Sequence, residues 1–270
     1  MPAVYTLAVM NQKGGVGKTA VTKNLGGALA ELGYRVLLVD LDPQGHLTEA
    51  CGVPETTPPA TLAKTLLMDA DKLAVDHVRA LIAPWRDRID MIATNIDAFL
   101  LERQLYRLRG VEFRLQRVLE LVDGLGVYDV CLIDCPPSLG VLTDNALVAA
   151  GQALVPVQSE DSALRALRLL LEQVDTMQAE LRVTVDVLGM VVNLYDKRRG
   201  QIVTSTLEAL QSMPLPILAV VDDRAAVREA WRAGLPVVEY APDSPSAAAF
   251  RALAKSLTAE DADGADGAAR

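Results

Sequence analysis

Ten consecutive residues near the start of the chain, Met10-Asn11-Gln12-Lys13-Gly14-Gly15-Val16-Gly17-Lys18-Thr19, bring together three glycines, two lysines and a hydroxyl. These types in this order suit the holding of a phosphate. Gly14, Gly15 and Gly17 have no Cβ, so their backbone N–H groups can approach phosphate oxygens closely. A helix opening at Lys18 adds the positive end of its dipole. Lys18 itself adds a point charge, and Thr19 a hydroxyl able to hold Mg²⁺. The usual spacing, G-x-x-x-x-G-K-[ST], asks for a glycine at position 12. This chain has Gln12 there and a second lysine at Lys13.

Two further segments carry carboxylates. Arg35–Asp40 leads into Asp40-Leu41-Asp42-Pro43-Gln44-Gly45. Tyr128–Asp134 leads into Cys135-Pro136-Pro137-Ser138-Leu139-Gly140. A carboxylate ending an apolar strand, such as Asp134, suits Mg²⁺, usually through a water. Hydrolysis of a γ-phosphate also needs an oriented water, a role open to Asp42. Asp40 and Asp42 are two apart and share a face of an extended chain. One could serve the metal shell and the other the water.

The elements that must position these groups alternate along the chain. Apolar runs predict strands at Val4–Met10, Arg35–Asp40, Ile89–Ala93, Tyr128–Asp134, Ala153–Val157, Val185–Val192 and Ile217–Val221. Several show almost no polar alternation, as in a parallel sheet covered on both faces. Helical patterns lie between them at Lys18–Leu32, Thr61–Met68, Lys72–Ile82, Ala98–Arg109, Glu112–Leu121, Leu142–Ala149, Ala163–Leu181, Ile202–Gln211, Ala225–Ala233 and Ala247–Leu257. The stretch His46–Pro59, with Gly52, Pro54, Pro58 and Pro59, reads as loop. The fold class is α/β: a single doubly wound, mostly parallel β-sheet flanked by helices, of the P-loop NTPase type. In such sheets ligands sit outside the carboxyl ends of the strands, where all three segments fall. One domain is expected over 1–257, followed by an acidic disordered tail over 258–270.

Composition narrows the classes. A chain of 270 residues can bury a substantial core, and hydrophobic residues make up 51% of this one. No apolar run is long enough to span a membrane, and the N-terminus has no signal-peptide pattern. The three cysteines, Cys51, Cys131 and Cys135, form no C-x-x-C pair, which reads as free thiols in a reduced, cytoplasmic protein. A formal charge of −9 argues against a surface coated in basic groups.

Three segments together, Lys13–Thr19, Leu37–Gly45 and Leu132–Gly140, resemble the ParA/Soj branch of the deviant Walker A ATPases, of which MinD is a cousin. The resemblance covers the chain from about Val4 to about Leu257. It implies ATP and Mg²⁺ as cofactors, and Mg²⁺-dependent ATP hydrolysis that is slow and stimulated by a partner. It also implies an ATP-bound homodimer, a ParB-like activator and no membrane. By this resemblance Lys13 is the signature lysine that reaches a partner's nucleotide across the dimer. Lys18 serves the β- and γ-phosphates, Thr19 the metal, Asp42 the attacking water and Asp134 the Walker B position. Asp40 is a further candidate for the metal shell. The catalytic set is then Lys13, Lys18 and Asp42. The nucleotide set is Lys13, Gly14, Gly15, Val16, Gly17, Lys18, Thr19, Ala20 and Asn193, the last where relatives contact the base.

Dimeric relatives of this type bind double-stranded DNA without sequence preference and associate with the nucleoid. Arg198, in Tyr195-Asp196-Lys197-Arg198-Arg199, corresponds to one family arginine. A second falls at Ala226, a departure flanked by Arg224 and Arg228. Arg224, Arg228 and Arg232 recur every four residues and would form one stripe on a helix, with Lys197 and Arg199 extending it. Other departures are Ala20 in place of Thr or Ser, Gln158–Ser162 without tyrosines, and Val221-Asp222-Asp223-Arg224. These fit partition of a plasmid, a chromosome or another cargo. Three alternatives share the fold. A membrane-surface ATPase of the MinD kind would need a basic amphipathic C-terminus, which the acidic tail is not. An iron–sulfur ATPase resembling nitrogenase reductase would need two well-placed cysteines per chain. A metabolic ligase or kinase would need a substrate signature, and none stands out.

Overall fold

The computed structural model describes residues 4–55, 60–160, 162–196, 198, 200–222 and 225–267, with side chains described up to 259. Lys197, Arg199 and Arg224 lie outside the described residues, as do Pro58 and Pro59.

The strands that read as continuous apolar runs are the centre of the sheet. β2 (Val36–Asp40) and β5 (Val130–Asp134) are buried at every position, and β1 (Tyr5–Val9) at its last three. Alternate side chains serve opposite faces. Leu37, Val39, Cys131 and Ile133 enter one core; Val36, Leu38, Val130 and Leu132 enter the other. The order of the eight-stranded sheet is β3-β4-β2-β5-β1-β6-β7-β8, where β3 is Ile82–Arg86, β4 Ile89–Ile92, β6 Gln152–Val157, β7 Asp186–Tyr195 and β8 Ile217–Asp222. Every pairing is parallel except β3 with β4. The expected α/β, doubly wound, mostly parallel architecture is the one observed.

The helices cover both faces. They are α1 (Lys18–Glu31), α2 (His46–Cys51), α3 (Leu62–Leu67), α4 (Val75–Arg79), α5 (Ala98–Leu105), α6 (Arg114–Asp123), α7 (Val141–Ala150), α8 (Ala163–Leu181), α9 (Gln201–Gln211), α10 (Ala225–Arg232), α11 (Val237–Tyr240) and α12 (Pro245–Gly267). α1 is the axis of one face. Asn24 Oδ1 accepts a 2.6 Å bond from the Val237 N–H. One turn on, Gly27 lets the ring of Pro236 lie against the helix: a Cβ there would stand 2.3 Å from Pro236 Cβ.

Three expectations are corrected. Residues 46–51 are helix α2, not loop, because the Asp40 carboxylate accepts the Thr48 N–H and caps the turn. The helix expected over Lys72–Ile82 shrinks to α4, and an antiparallel edge strand, β3, follows it. Pro84 is at home on that edge, where a missing N–H costs no ladder bond. The helix expected over Ala247–Leu257 is longer at both ends, α12 running over Pro245–Gly267.

Gly27→Ala weighs two opposed effects. Alanine favours a helix interior by up to about 1 kcal/mol. Overpacking against a rigid ring costs about 1–3 kcal/mol, so a net loss of stability is expected, read as a lowered urea midpoint. An unchanged or raised midpoint would mean that α11 is not seated on α1.

Candidate functional site

The phosphate loop leaves the end of β1 and is braced from three directions. Asn11 Nδ2 donates to Pro156 O at 2.7 Å, and Asn11 Oδ1 accepts the Lys13 N–H at 2.9 Å. Gln12, where a glycine is usual, donates to Ala166 O on α8 at 3.2 Å. Gln158 Nε2 donates to Gly15 O at 2.9 Å. Gly15 and Gly17 have φ of +79° and +88°, which side-chain-bearing residues rarely adopt. Gly14 and Gly15 are exposed at the tip, while Val16 is buried.

Asn193, at the carboxyl end of β7, is brought to this loop. It is 2% exposed, and its amide donates to Val16 O at 3.1 Å. A Cβ on Gly17 would meet Asn193 Nδ2 at 2.0 Å. In this arrangement the Asn193 amide supports the loop from beneath. Ala20 follows on the first turn of α1, half-buried.

The two lysines of the loop face different ways. Lys18 is 7% exposed. Burial pulls its pKa below that of an ordinary lysine, and attraction from Asp134, Cys135 and Asp42 opposes the pull. Lys13 instead turns outward, where its ammonium pairs with Glu160 Oε2 and donates to Ser162 Oγ at 3.0 Å.

Behind Lys18 three carboxylates converge. Register pairs Asp40 with Asp134 across β2 and β5. Asp134 is fully buried; its Oδ1 accepts a hydrogen bond from Thr22 Oγ1 (3.4 Å), the Thr19 hydroxyl lies beside it, and its Oδ2 has no partner. Burial, then repulsion from Asp40, pushes the Asp134 pKa well above the carboxylate range; Thr19 and Lys18 resist. Ionised, three carboxylates around one ammonium leave two negative charges uncompensated. An orphaned carboxylate oxygen beside a threonine hydroxyl fits a hard divalent cation. Thr19 and Asp134 would hold it, and it would supply charge neutralisation for a phosphate.

Asp40 fits that role less well. Its Oδ2 accepts from both the N–H and the hydroxyl of Thr48, at 2.8 and 2.7 Å, and its Oδ1 from the Asp42 N–H at 3.2 Å. It is committed to anchoring α2, so the metal assignment narrows to Thr19 and Asp134. Asp42 is 5% exposed, accepts the Gln44 N–H at 3.0 Å, and lines a cleft of about 290 Å³ with Phe99, Glu102, Pro136 and Ser138. Cys131 and Cys135 are buried in one core, their thiols pushed up by burial. They are not presented on a surface that two subunits could share, which removes the ground for the iron–sulfur alternative.

The described candidate DNA-binding arginines lie on two elements, Arg198 after β7 and Arg228 and Arg232 on α10. Tyr195 pairs with Asp222 across β7 and β8, so the segment after β7 and the start of α10 are neighbours. Arg198 forms a fork with Asp196, Nε to Oδ1 at 2.8 Å and Nη2 to Oδ2 at 2.9 Å, and its side chain is 82% exposed. Arg228 and Arg232 are exposed on α10. Sequence reasoning missed the supporting groups Asn11, Gln12, Gln158, Glu160, Ser162, Thr22 and Thr48. Only Asn11 and Gln12, inside the loop motif itself, gave a signal.

A family profile described as "AAA domain" matches residues 4–187. The chain is 36% identical over 256 residues to the sporulation initiation inhibitor protein Soj of Bacillus subtilis, covering 94% of this chain and 98% of that one. It is 36% identical over 258 residues to the chromosome-partitioning ATPase Soj of Thermus thermophilus, covering 95% and 96%. A structure titled cobyrinic acid a,c-diamide synthase from Mycobacterium smegmatis, with bound ATP analog and magnesium, superposes with a TM-score of 0.79 at 34% identity, covering 97% of each chain.

Burial raises the Asp40 pKa to about 6, against the two Thr48 bonds that lower it. A raised carboxylate binds its proton more readily folded than unfolded. Its contribution is therefore present below about pH 4 and lost as pH rises through about 6. Asp40→Asn should flatten this part of the pH–stability profile, a difference on the order of 3 kcal/mol between its ends. Urea unfolding at either end of that window measures it, and parallel profiles for both proteins would refute it.

Proposed function

The chain belongs to the ParA/Soj family of P-loop positioning ATPases, and from that premise we propose that it is an ATP-dependent dimerising switch that binds double-stranded DNA without sequence preference. ATP and Mg²⁺ occupy the Lys13–Thr19 loop, with Thr19 and Asp134 on the metal. Asp42 orients the attacking water. A ParB-like protein stimulates a slow turnover, and the protein acts in the cytoplasm on the nucleoid. Cargo positioning follows from release: hydrolysis ends the dimer and with it the hold on DNA.

The observation that carries this reading is the division of labour between the lysines. One lysine suffices beneath a phosphate, and Lys18 is there. Lys13 points away from its own loop and rests on Glu160, with 30% and 47% of the two side chains exposed. An ion pair so exposed is worth at most about 1 kcal/mol. A triphosphate on a second copy offers Lys13 far more charge, so closure around ATP readily replaces the resting contact. Dimerisation then reports nucleotide state.

The name of the M. smegmatis structure suggests amide synthesis as a second reading. That chemistry brings a carboxylate substrate to the γ-phosphate. The cleft beside Asp42 is lined by Asp42 and Glu102, whose charges repel such a substrate. A water is the better acceptor there.

Binding to non-specific DNA, measured apo, with ADP and with ATP at two salt concentrations, tests the proposal. Tight binding is expected with ATP alone, weakening steeply with salt. Equal binding in all three states would overturn it. Lys18→Ala should abolish ATP binding. Asp42→Ala should bind ATP normally, lose about 10²-fold or more in turnover, and accumulate as dimer. Arg198→Glu should lose DNA while still dimerising with ATP; unchanged DNA binding would move the interface elsewhere.

A further inference from the structure

Lys23 is among the largest fully buried side chains of the described residues, at 1% exposure. Lysine is rarely buried unless something pairs with its charge. Here the ammonium donates to Ala50 O, near the C-terminal end of α2, at 2.7 Å. It also lies 5.9 Å from the ring centroid of Trp85 on β3 and 5.4 Å from that of Trp231 on α10. Both distances are within the range of cation–π attraction, and a helix C-terminus is the end that favours a cation. These are the two tryptophans of the chain.

The arrangement is costly for folding. Burial pulls the Lys23 pKa down to about 8, so near neutral pH the charge is held against the solvent's preference. An apolar side chain would fill the same space without that cost. What the ammonium achieves is a four-way tie between α1, α2, β3 and α10. α1 begins at Lys18, about 7.5 Å along the helix from Lys23. α2 is anchored at its start by Asp40 and ends at the carbonyl that Lys23 holds. α10 exposes Arg228 and Arg232.

We infer that Lys23 is a positioning residue that couples the nucleotide loop to the arginine face of α10, holding that helix through Trp231 and the end of α2. Movement of α1 or α2 on phosphate binding is then passed directly to α10. The inference rests on the reading of α10 as part of the DNA interface.

The tryptophans make the site its own reporter. Of the titratable groups on the packed elements, Cys51 on α2 faces the ammonium, and its thiol is raised to about 12. Arg86 on β3 is paired with Glu239, Glu229 on α10 accepts from the Tyr240 hydroxyl, and Arg228 and Arg232 are exposed. Tryptophan emission of the full chain should therefore titrate with a midpoint of about 8, and Lys23→Met should remove that transition. Emission should also differ between apo, ADP and ATP states. In Lys23→Met this difference should vanish, with ATP affinity within about threefold of the native value and ATP-dependent DNA affinity reduced at least tenfold. Trp231→Leu should lose DNA likewise, whereas Trp231→Phe, which keeps an aromatic face, should retain it. Emission insensitive to nucleotide in the native protein, or unaltered by Lys23→Met, overturns the coupling. A native protein whose emission responds through Lys23 but which binds no DNA supports the coupling and overturns the DNA reading instead.

Discussion

Three carboxylates and one ammonium share a buried space at the carboxyl end of β2 and β5, and the rest of the structure is arranged around that electrostatic problem. Asp134 has no exposure and one unpaired oxygen. Left alone, such a group gives up its charge by holding a proton, which is the direction in which its pKa moves. The problem is partly relieved by Lys18, Thr19 and Thr22. The remainder is what a divalent cation and a phosphate, arriving together, are suited to settle. The site is thus suited to that pair, and the braces from Asn11, Gln12, Gln158 and Asn193 hold the loop in place.

The same constraint explains why the nearest helix exists. Asp40, buried beside Asp134, needs donors to hold its charge. Asp40 takes two from Thr48, and this fixes the first turn of α2. The helix that looks incidental in topology is the means by which one of three crowded carboxylates is satisfied. Its far end is then available to Lys23, so a requirement of the nucleotide site sets the position of a helix that α10 leans on.

How much of this was legible in the sequence follows from the range over which each feature is determined. β1, β2 and β5 were legible because a strand covered on both faces must be apolar throughout, and the register that brings Asp40 beside Asp134 follows from both ending such a strand. The loop was legible because glycine at a positive φ and lysine at a helix start leave a fixed pattern. α2 was not: its start is Gly45, which provides no side-chain cap, and its anchor is a carboxylate on a preceding strand. β3 was hidden by Pro84 and by a length of five residues. Asn193 followed the family's pattern, but the close approach of Gly17 shows its amide turned to the loop. Lys23 left no signal, because in a helix a lysine ordinarily marks the solvent face, and only the packing of two distant tryptophans reverses that.

The net charge of −9 gives the basic edge its meaning. Arg198 is already forked to Asp196, so under the proposed function it would meet a phosphate as one half of an ion pair and add little alone. A single copy would then present a weak patch on a surface that repels DNA. Two copies held by ATP would present the patch twice while the repulsion is spread over a larger body. Because contacts to phosphate act together when they are carried on one rigid assembly, the step from one copy to two changes binding by far more than a factor of two. An acidic chain is therefore better suited to a nucleotide-gated hold on DNA than a basic one, whose monomer would stay bound after hydrolysis.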